Sequence, residues 1–186
     1  MRKIAAFALA GLLWAGASPL ASAQSAGATA KIGEGQTAKV SAAPVPGAGV
    51  LLEIALPGGR TQSFLNLGER PVALSGKPGE AALIVFDIDR DGVDEIFFRG
   101  LVPPQTGAVV ALRWNAASGE YQPIEFTDDR DRTTKYLVVD AALPVAIDEA
   151  GRIEAQHVAL RQDGRKSYFV TRYRWTGKGY RQSADN

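Results

Sequence analysis

The stretch "VFDIDRDGVDEIFF", residues 85–98, sets a run of acidic residues and one glycine between two apolar segments. Acidic side chains occupy positions 87, 89, 91, 94 and 95, and Gly92 follows the first three of them. At an effective dielectric near 20, two like charges about 4 Å apart repel each other by on the order of 4 kcal/mol, so converging carboxylates would force this loop open. A bound cation removes that repulsion. The stretch therefore predicts a cation-binding loop between two strands.

The spacing of the acidic residues indicates which atoms would bind the cation. In an Asp-x-Asp-x-Asp-Gly loop, alternate residues turn their carboxylates inward, and glycine supplies the positive φ that bends the chain around the ion. Asp87, Asp89 and Asp91 would supply side-chain oxygens at loop positions 1, 3 and 5. The carbonyl of Val93 falls at position 7, and Glu95 falls at position 9.

Composition indicates which metal such a loop would take. The chain has no cysteine and a single histidine, so thiol chemistry is excluded and a zinc site is not expected. Calcium prefers oxygen ligands and is the metal predicted here. The alternative is a solvated acidic turn whose aspartates accept hydrogen bonds from their own backbone. The spacing of the acidic residues and of Gly92 agrees with that of a calcium loop at several positions together, and this agreement favours calcium.

The loop "FDIDRDGVDEIFF" resembles the calcium loop of FG-GAP and VCBS repeats, which joins two strands of a β-propeller blade. An EF-hand would need a bidentate glutamate at position 12, where this chain has Phe98 on an apparent strand, so a helix-loop-helix site is not expected. The resemblance implies the ligand set just described, and it implies that Asp94 points outward. More loosely, the order of segments looks like that of secreted bacterial calcium-loop β-propeller proteins of the cell envelope, some of which inhibit peptidoglycan-cleaving enzymes.

Short strands with turn signals between them predict an all-β fold. No segment after residue 23 has convincing apolar spacing of three and four, as a helix would require. Expected strands include Val50–Leu56, Thr61–Leu67, Tyr136–Val139, Ile153–Leu160 and Ser167–Trp175. They predict a single antiparallel meander over residues 50–186, either propeller-like or sandwich-like. Residues 24–49 are rich in alanine, glycine and proline, and we expect a flexible lead-in there, apart from a short strand near residues 37–41.

The N-terminus has the pattern of a secretory signal peptide over residues 1–23. Arg2 and Lys3 precede an apolar run, and Ala21, Ser22 and Ala23 have the small-x-small order of a cleavage site. The run is shorter than the roughly 18 residues that a membrane span requires. We therefore expect a periplasmic or secreted protein without a membrane span.

Charge argues against nucleic acid as a partner. Loss of Arg2 and Lys3 reduces the 21 basic residues to 19, against 20 acidic ones, so no bulk attraction to nucleic acid follows. Basic and aromatic side chains alternate near the C-terminus, where Arg172 and Arg174 fall on one strand face and Tyr173 on the other. An ordinary half-buried strand is the simpler interpretation, and a patch for an anionic or sugar partner is the alternative.

Two classes of function stay open on these residues. No recognisable nucleophile-and-base motif occurs, no catalytic residue is predicted, and His157 lies on a strand pattern that predicts a surface or half-buried position. The loop "DDRDR", residues 128–132, lacks a glycine and is expected to be a solvated turn. These features favour an exported, calcium-binding, non-enzymatic binding or inhibitor protein of the bacterial envelope, with an unidentified protein or glycan partner. The alternative is a small secreted hydrolase that uses carboxylates, for example on glycans.

Overall fold

The computed structural model describes residues 26–74, 81–102 and 106–183, and the predicted signal peptide lies outside them. These residues form strands and turns with one short 3-10 turn at Pro57–Gly59 and no α-helix, which confirms the all-β prediction. The strands are β1 (Ala26–Lys31), β2 (Thr37–Val45), β3 (Gly49–Ala55), β4 (Thr61–Phe64), β5 (Leu83–Phe86), β6 (Glu95–Val102), β7 (Thr106–Asn115), β8 (Glu120–Pro123), β9 (Phe126–Thr127), β10 (Thr133–Thr134), β11 (Leu137–Asp140), β12 (Val145–Ile147), β13 (Ile153–Leu160), β14 (Lys166–Trp175) and β15 (Tyr180–Gln182).

The strands form three sheets. The first sheet has the order β1-β2-β3-β4, and the middle sheet has the order β11-β7-β6-β5, with β8 paired to β7. The third sheet has the order β10-β9-β15-β14-β13-β12. All named pairs are antiparallel except β9 with β15, which is parallel. Within the described ranges, no helix is long and apolar enough to cross a membrane.

The first sheet corrects the prediction of a flexible lead-in before residue 50. Residues 26–31 and 37–45 are strands β1 and β2, which pair with each other, and β2 pairs with β3. Ala30, Ala38 and Ala42 are fully buried in the core. Alanine and glycine bury little apolar area and lack the β-branched or aromatic character of typical strands, so their alternation was too weak to predict β1 from sequence.

The middle sheet is covered on both faces. Ile96 and Phe98 of β6 pack into a core shared with β1–β3, whereas Phe97 between them packs into a second core shared with the third sheet. Strand β6 is therefore buried over six consecutive residues from Glu95 to Gly100. Burial on both faces explains why its sequence reads as an apolar run without alternation.

One buried arginine connects loops on either side of β6. Arg99 is fully buried, and its guanidinium donates hydrogen bonds to the backbone carbonyls of Ala73, Leu74, Asp140 and Leu143. Burial lowers the pKa of Arg99, although the charge of Asp140 opposes that effect. Arg99 thus gives the Ala73 and Leu143 carbonyls a donor and adds a second donor to the carbonyls of Leu74 and Asp140, which also accept backbone N–H groups.

The third sheet carries the C-terminal aromatic residues. Tyr173 of β14 is buried, whereas its neighbour Arg174 is exposed, so the predicted alternation is confirmed. His157 is half-buried on β13, as predicted, where it stacks on Phe169 and hydrogen-bonds with Thr171 Oγ1 at 2.7 Å. Burial lowers the pKa of His157.

Candidate metal centre

The acidic loop joins β5 to β6 in the middle sheet and is attached to both neighbouring sheets. On one side, the backbone N–H of Lys31 in β1 donates to Asp94 Oδ2 at 2.7 Å, and the N–H of Asp94 donates to the Lys31 carbonyl at 2.8 Å. On the other side, Ile88 is buried in the core that includes the third sheet. Asp94 therefore turns away from the other loop aspartates, but it is buried against β1 rather than directed into solvent.

Backbone hydrogen bonds fold the loop around Asp87. The N–H of Asp91 donates to Asp87 Oδ1 at 3.1 Å, and the N–H of Gly92 donates to Asp87 Oδ2 at 2.8 Å. Gly92 has φ +85°, in the left-handed region that glycine adopts readily. Arg90 has φ +63°, which a non-glycine residue adopts less often. The chain thus makes the tight bend that the sequence predicts for this glycine.

Three of the predicted side chains converge. Carboxylate oxygens of Asp87, Asp89 and Glu95 lie within 4.8 Å of one another, so that this group could hold a metal ion. Asp91 lies outside the group and accepts a hydrogen bond from the N–H of Val93 at 2.9 Å. Val93 itself, whose backbone carbonyl was the predicted ligand, forms an isolated bridge with Ile32 beyond the end of β1.

Glu95 lies at the buried end of this group. Its side chain has no solvent exposure, and its Oε2 accepts a hydrogen bond from the N–H of Ile88 at 3.0 Å. Its Oε1 is buried and accepts no hydrogen bond. Burial raises the pKa of Glu95 to about 7, against the opposing effects of the Ile88 N–H and of Arg113. A buried carboxylate oxygen without a donor is costly unless a cation faces it.

Arg113, near the end of β7, is the residue at this site that sequence reasoning missed. Its Nη2 lies 2.9 Å from Asp89 Oδ2 and 2.7 Å from Asp91 Oδ2, and its Nε lies 3.5 Å from Glu95 Oε1. Partial burial acts to lower the pKa of Arg113, but the carboxylates of Asp89 and Glu95 outweigh that effect and raise it. The guanidinium thus neutralises part of the negative charge of the loop.

The same guanidinium lies against the third sheet. Its central carbon is 5.2 Å from the centroid of the Trp175 ring, in a cation–π arrangement. Trp175 in turn packs against Tyr180, with ring centroids 5.4 Å apart. Trp175 Nε1 and the Tyr180 hydroxyl are buried and have no hydrogen-bond partner in the described part of the chain, as is the case for Glu95 Oε1. Burial, with a contribution from Glu95, raises the pKa of Tyr180.

The raised pKa of Glu95 beside two aspartates would suit general acid–base chemistry, but its burial does not. A general acid must come within hydrogen-bonding distance of its substrate, and Glu95 has no solvent-exposed surface through which a substrate could approach. Oxygen donors that converge from exposed Asp89 to buried Glu95 are instead an arrangement that suits a hard cation.

The other acidic turn, residues 128–132, differs from the loop. Asp128 accepts hydrogen bonds from the N–H groups of Arg130 and Arg132 and pairs with the Arg132 side chain. Within the described ranges, the only group of acidic or histidine side chains placed to hold a metal is the one at Asp87.

The fold and the site together define an all-β protein of three stacked sheets with an acidic loop that could hold a metal ion, between exposed Asp89 and buried Glu95. Comparison with family models, with characterised proteins and with solved structures found no match to this chain. The likeness of the loop to FG-GAP and VCBS repeats therefore stays a prediction from sequence.

Proposed function

We propose that the protein binds a calcium ion in the loop of residues 87–95 and is a non-enzymatic binding protein exported to the cell envelope. The observation that carries the metal site is Glu95 Oε1, a buried carboxylate oxygen that accepts no hydrogen bond from the described residues, in a side chain with one oxygen within 4.8 Å of oxygens from Asp87 and Asp89. A divalent cation placed among these oxygens would satisfy Glu95 and remove the repulsion between the carboxylates.

The donor set supports calcium over other common metals. The three converging groups offer only carboxylate oxygens, which suit calcium, magnesium or manganese rather than zinc or copper. Magnesium requires a near-ideal octahedral shell at about 2.0–2.1 Å, whereas calcium accepts irregular shells at about 2.3–2.6 Å. The backbone carbonyl of Val93 and a carboxylate oxygen of Asp91 would complete an irregular shell around the ion.

The position of the loop gives the ion a structural role. The loop holds β1 through Asp94 and reaches the core of the third sheet through Ile88. A ligand that binds only the folded state adds stability, by about 2.7 kcal/mol at a hundredfold excess over its dissociation constant. Calcium would therefore stabilise all three sheets together rather than one turn.

Export and a binding role are supported by the sequence. The first 23 residues have the pattern of a signal peptide, and the resemblance to calcium-loop envelope proteins suggests a protein or glycan partner. The hairpin of β13 and β14 exposes Leu160 and Tyr168, which are 75% and 64% exposed, and a partner could contact these side chains. An inhibitor of envelope enzymes is one such binding role.

Titration calorimetry on chelator-stripped protein tests the metal site. We expect heat of binding with calcium, much weaker binding of magnesium, and loss of calcium binding in Asp87→Ala. Asp163→Ala is a matched control because Asp163 lies in the turn of another hairpin, where it accepts a hydrogen bond from the Arg165 N–H. An absence of calcium-dependent heat in the wild-type protein would contradict the proposal.

A further inference from the structure

We propose that Arg113 competes with calcium for the same carboxylate oxygens, so that calcium binding displaces its guanidinium from the loop. This inference rests on the proposed function, since it requires calcium to bind at the group of Asp87, Asp89 and Glu95. In this proposal, Arg113 determines how tightly that site binds calcium.

The contacts of Arg113 overlap with those of the ion. Asp89 and Glu95 are two of the three groups whose oxygens converge, and both face the Arg113 side chain, at 2.9 Å and 3.5 Å. A calcium ion would need the same lone pairs. It would also place two positive charges beside the guanidinium, in a partly buried site where repulsion is screened less than in water.

Arg113 is an incomplete counter-ion for these carboxylates. Its Nη2 makes two short contacts, to Asp89 and Asp91, but its Nε is too far from Glu95 Oε1 for a hydrogen bond. Among the described residues, Asp87 has no ion pair with Arg113 and accepts hydrogen bonds from the backbone N–H groups of Asp91 and Gly92. A single positive charge therefore leaves most of the negative charge of the loop uncompensated, and a divalent ion can replace it.

A displaced guanidinium has space to occupy. Arg113 lines an open cavity of about 430 Å³ together with Trp114, Asn115 and Lys178. Its Nη1 already faces the Gly177 carbonyl at 3.4 Å, outside the carboxylate group. Rotation toward this cavity would move the guanidinium relative to the Trp175 ring. Calcium binding would thus change the surroundings of a tryptophan on the third sheet.

Calorimetric titration of Arg113 variants measures the competition. We expect Arg113→Gln to bind calcium at least roughly tenfold more tightly than wild type, equivalent to about 1.4 kcal/mol. Arg113→Lys keeps the charge but has one ammonium group, which cannot face Asp89 and Asp91 and also Glu95 as Nη2 and Nε of the guanidinium do, and we expect an intermediate affinity. Arg132→Gln is the matched control, because Arg132 pairs with Asp128 in a different turn, and its affinity should equal that of wild type.

Tryptophan fluorescence reports whether the guanidinium moves. Calcium should change the emission of the wild-type protein, and Trp175→Phe should show a smaller change while it still binds calcium, since Trp114, which lines the cavity, remains. Arg113→Gln should bind calcium with a smaller change in emission, since it has no guanidinium to displace.

The outcomes separate the two proposals. If wild type and Arg113→Gln bind calcium with the same dissociation constant, the competition is wrong and the calcium site stands. If neither protein binds calcium, the proposed function fails and the competition fails with it. If Arg113→Gln alone shows measurable binding, the proposed calcium-binding function of the wild-type protein is contradicted, whereas the competition of Arg113 for the carboxylates is supported.

Discussion

Arg113 and Glu95 meet at the same end of two neighbouring strands of the middle sheet, with Nε of one 3.5 Å from Oε1 of the other. Strand β6 begins at Glu95, and β7 ends two residues after Arg113. Both residues lie on the face that packs toward the third sheet, as Arg113 contacts Trp175 and Glu95 raises the pKa of Tyr180. The charge of the loop is therefore coupled to the packing between two sheets.

Calcium should raise the thermal stability of the protein. A gain of about 2.7 kcal/mol at a hundredfold excess over the dissociation constant corresponds to several degrees in melting temperature, at roughly 2–4 °C per kcal/mol for a domain of this size. Scanning calorimetry in calcium and in chelator measures the difference. A melting temperature indifferent to chelator would mean that the loop is only a solvated acidic turn.

Substitutions at loop positions 1 and 3 should differ in severity. Asp87→Ala removes the group that converges with Asp89 and Glu95 and accepts two backbone N–H groups, so we expect it to abolish calcium binding. Asp89→Asn keeps an oxygen and should weaken binding only modestly. Calorimetric dissociation constants for the two variants check the order, and equal losses would contradict these roles.

The metal-free protein should lose stability as pH rises toward 7. Glu95 ionises near pH 4.5 at its ordinary pKa but near pH 7 in the folded protein, where it is buried beside Arg113. Between these values the folded state binds more protons than the unfolded state, so the free energy of unfolding falls by about 3 kcal/mol as pH increases from 4.5 through 7. Asp89 and Asp91 act in the same direction, because their charges disfavour ionisation of Glu95.

Urea unfolding in chelator at pH 5 and pH 8 measures this effect, with Glu95→Gln as the control. The variant cannot ionise, so its stability should change less between the two pH values, and at pH 8 without metal it should exceed that of wild type. It should gain little from calcium. A wild-type free energy of unfolding that rises relative to Glu95→Gln between pH 5 and pH 8 would contradict the assignment.

Arg99→Met should destabilise the protein strongly. The substitution removes hydrogen bonds to four buried or partly buried carbonyls from two loops, including those of Leu74 and Leu143. We expect a loss of about 3 kcal/mol or more in the free energy of unfolding. Arg60→Met is the control, because Arg60 is exposed and, within the described residues, donates one hydrogen bond, to the Gly119 carbonyl, so its loss should be about 0.5 kcal/mol or less. If urea unfolding gave comparable losses in the free energy of unfolding for Arg99→Met and Arg60→Met, Arg99 would not connect these loops.

Gly100→Ala should also destabilise the protein, because a Cβ at this position would lie 1.7 Å from the Leu67 carbonyl oxygen. Backbone on both sides would have to move apart to admit it. Gly27→Ala is the control, since a Cβ there would lie an ordinary 3.7 Å from the Val40 carbonyl. We expect Gly27→Ala to be neutral in thermal melting and Gly100→Ala to melt at a clearly lower temperature. Equal melting temperatures would contradict the close approach.

Much of the strand content follows from sequence, because alternation and turn residues are local signals. The predicted strand Ile153–Leu160 is strand β13, and Ser167–Trp175 differs from β14 by one residue. Strand β1 was missed because its alternating residues are alanine, glycine and threonine, whose small side chains give little hydrophobic contrast. The stacking of three sheets depends on contacts between distant segments, which no local pattern encodes.

The loop residues of the candidate site could be predicted from sequence, whereas the residue that lies beside the loop, Arg113, could not. Spacing alone identified Asp87, Asp89 and Glu95, since they lie within one short segment. Arg113 lies 22 positions beyond Asp91 along the chain and becomes its neighbour only when β6 and β7 pair. One signal in the sequence could have indicated it, since Arg113 is the single charged residue in the apolar segment "GAVVALRW". A charge in such a strand needs a partner close by.

The most direct measurement is a crystal structure of the protein grown in calcium after chelator treatment, with anomalous data that locate the ion. We expect a calcium peak bonded at about 2.3–2.6 Å to oxygens of Asp87, Asp89 and Glu95, with the Arg113 guanidinium turned away from them. A structure at saturating calcium with no peak in the loop, and with Arg113 still paired to Asp89 and Asp91, would contradict it.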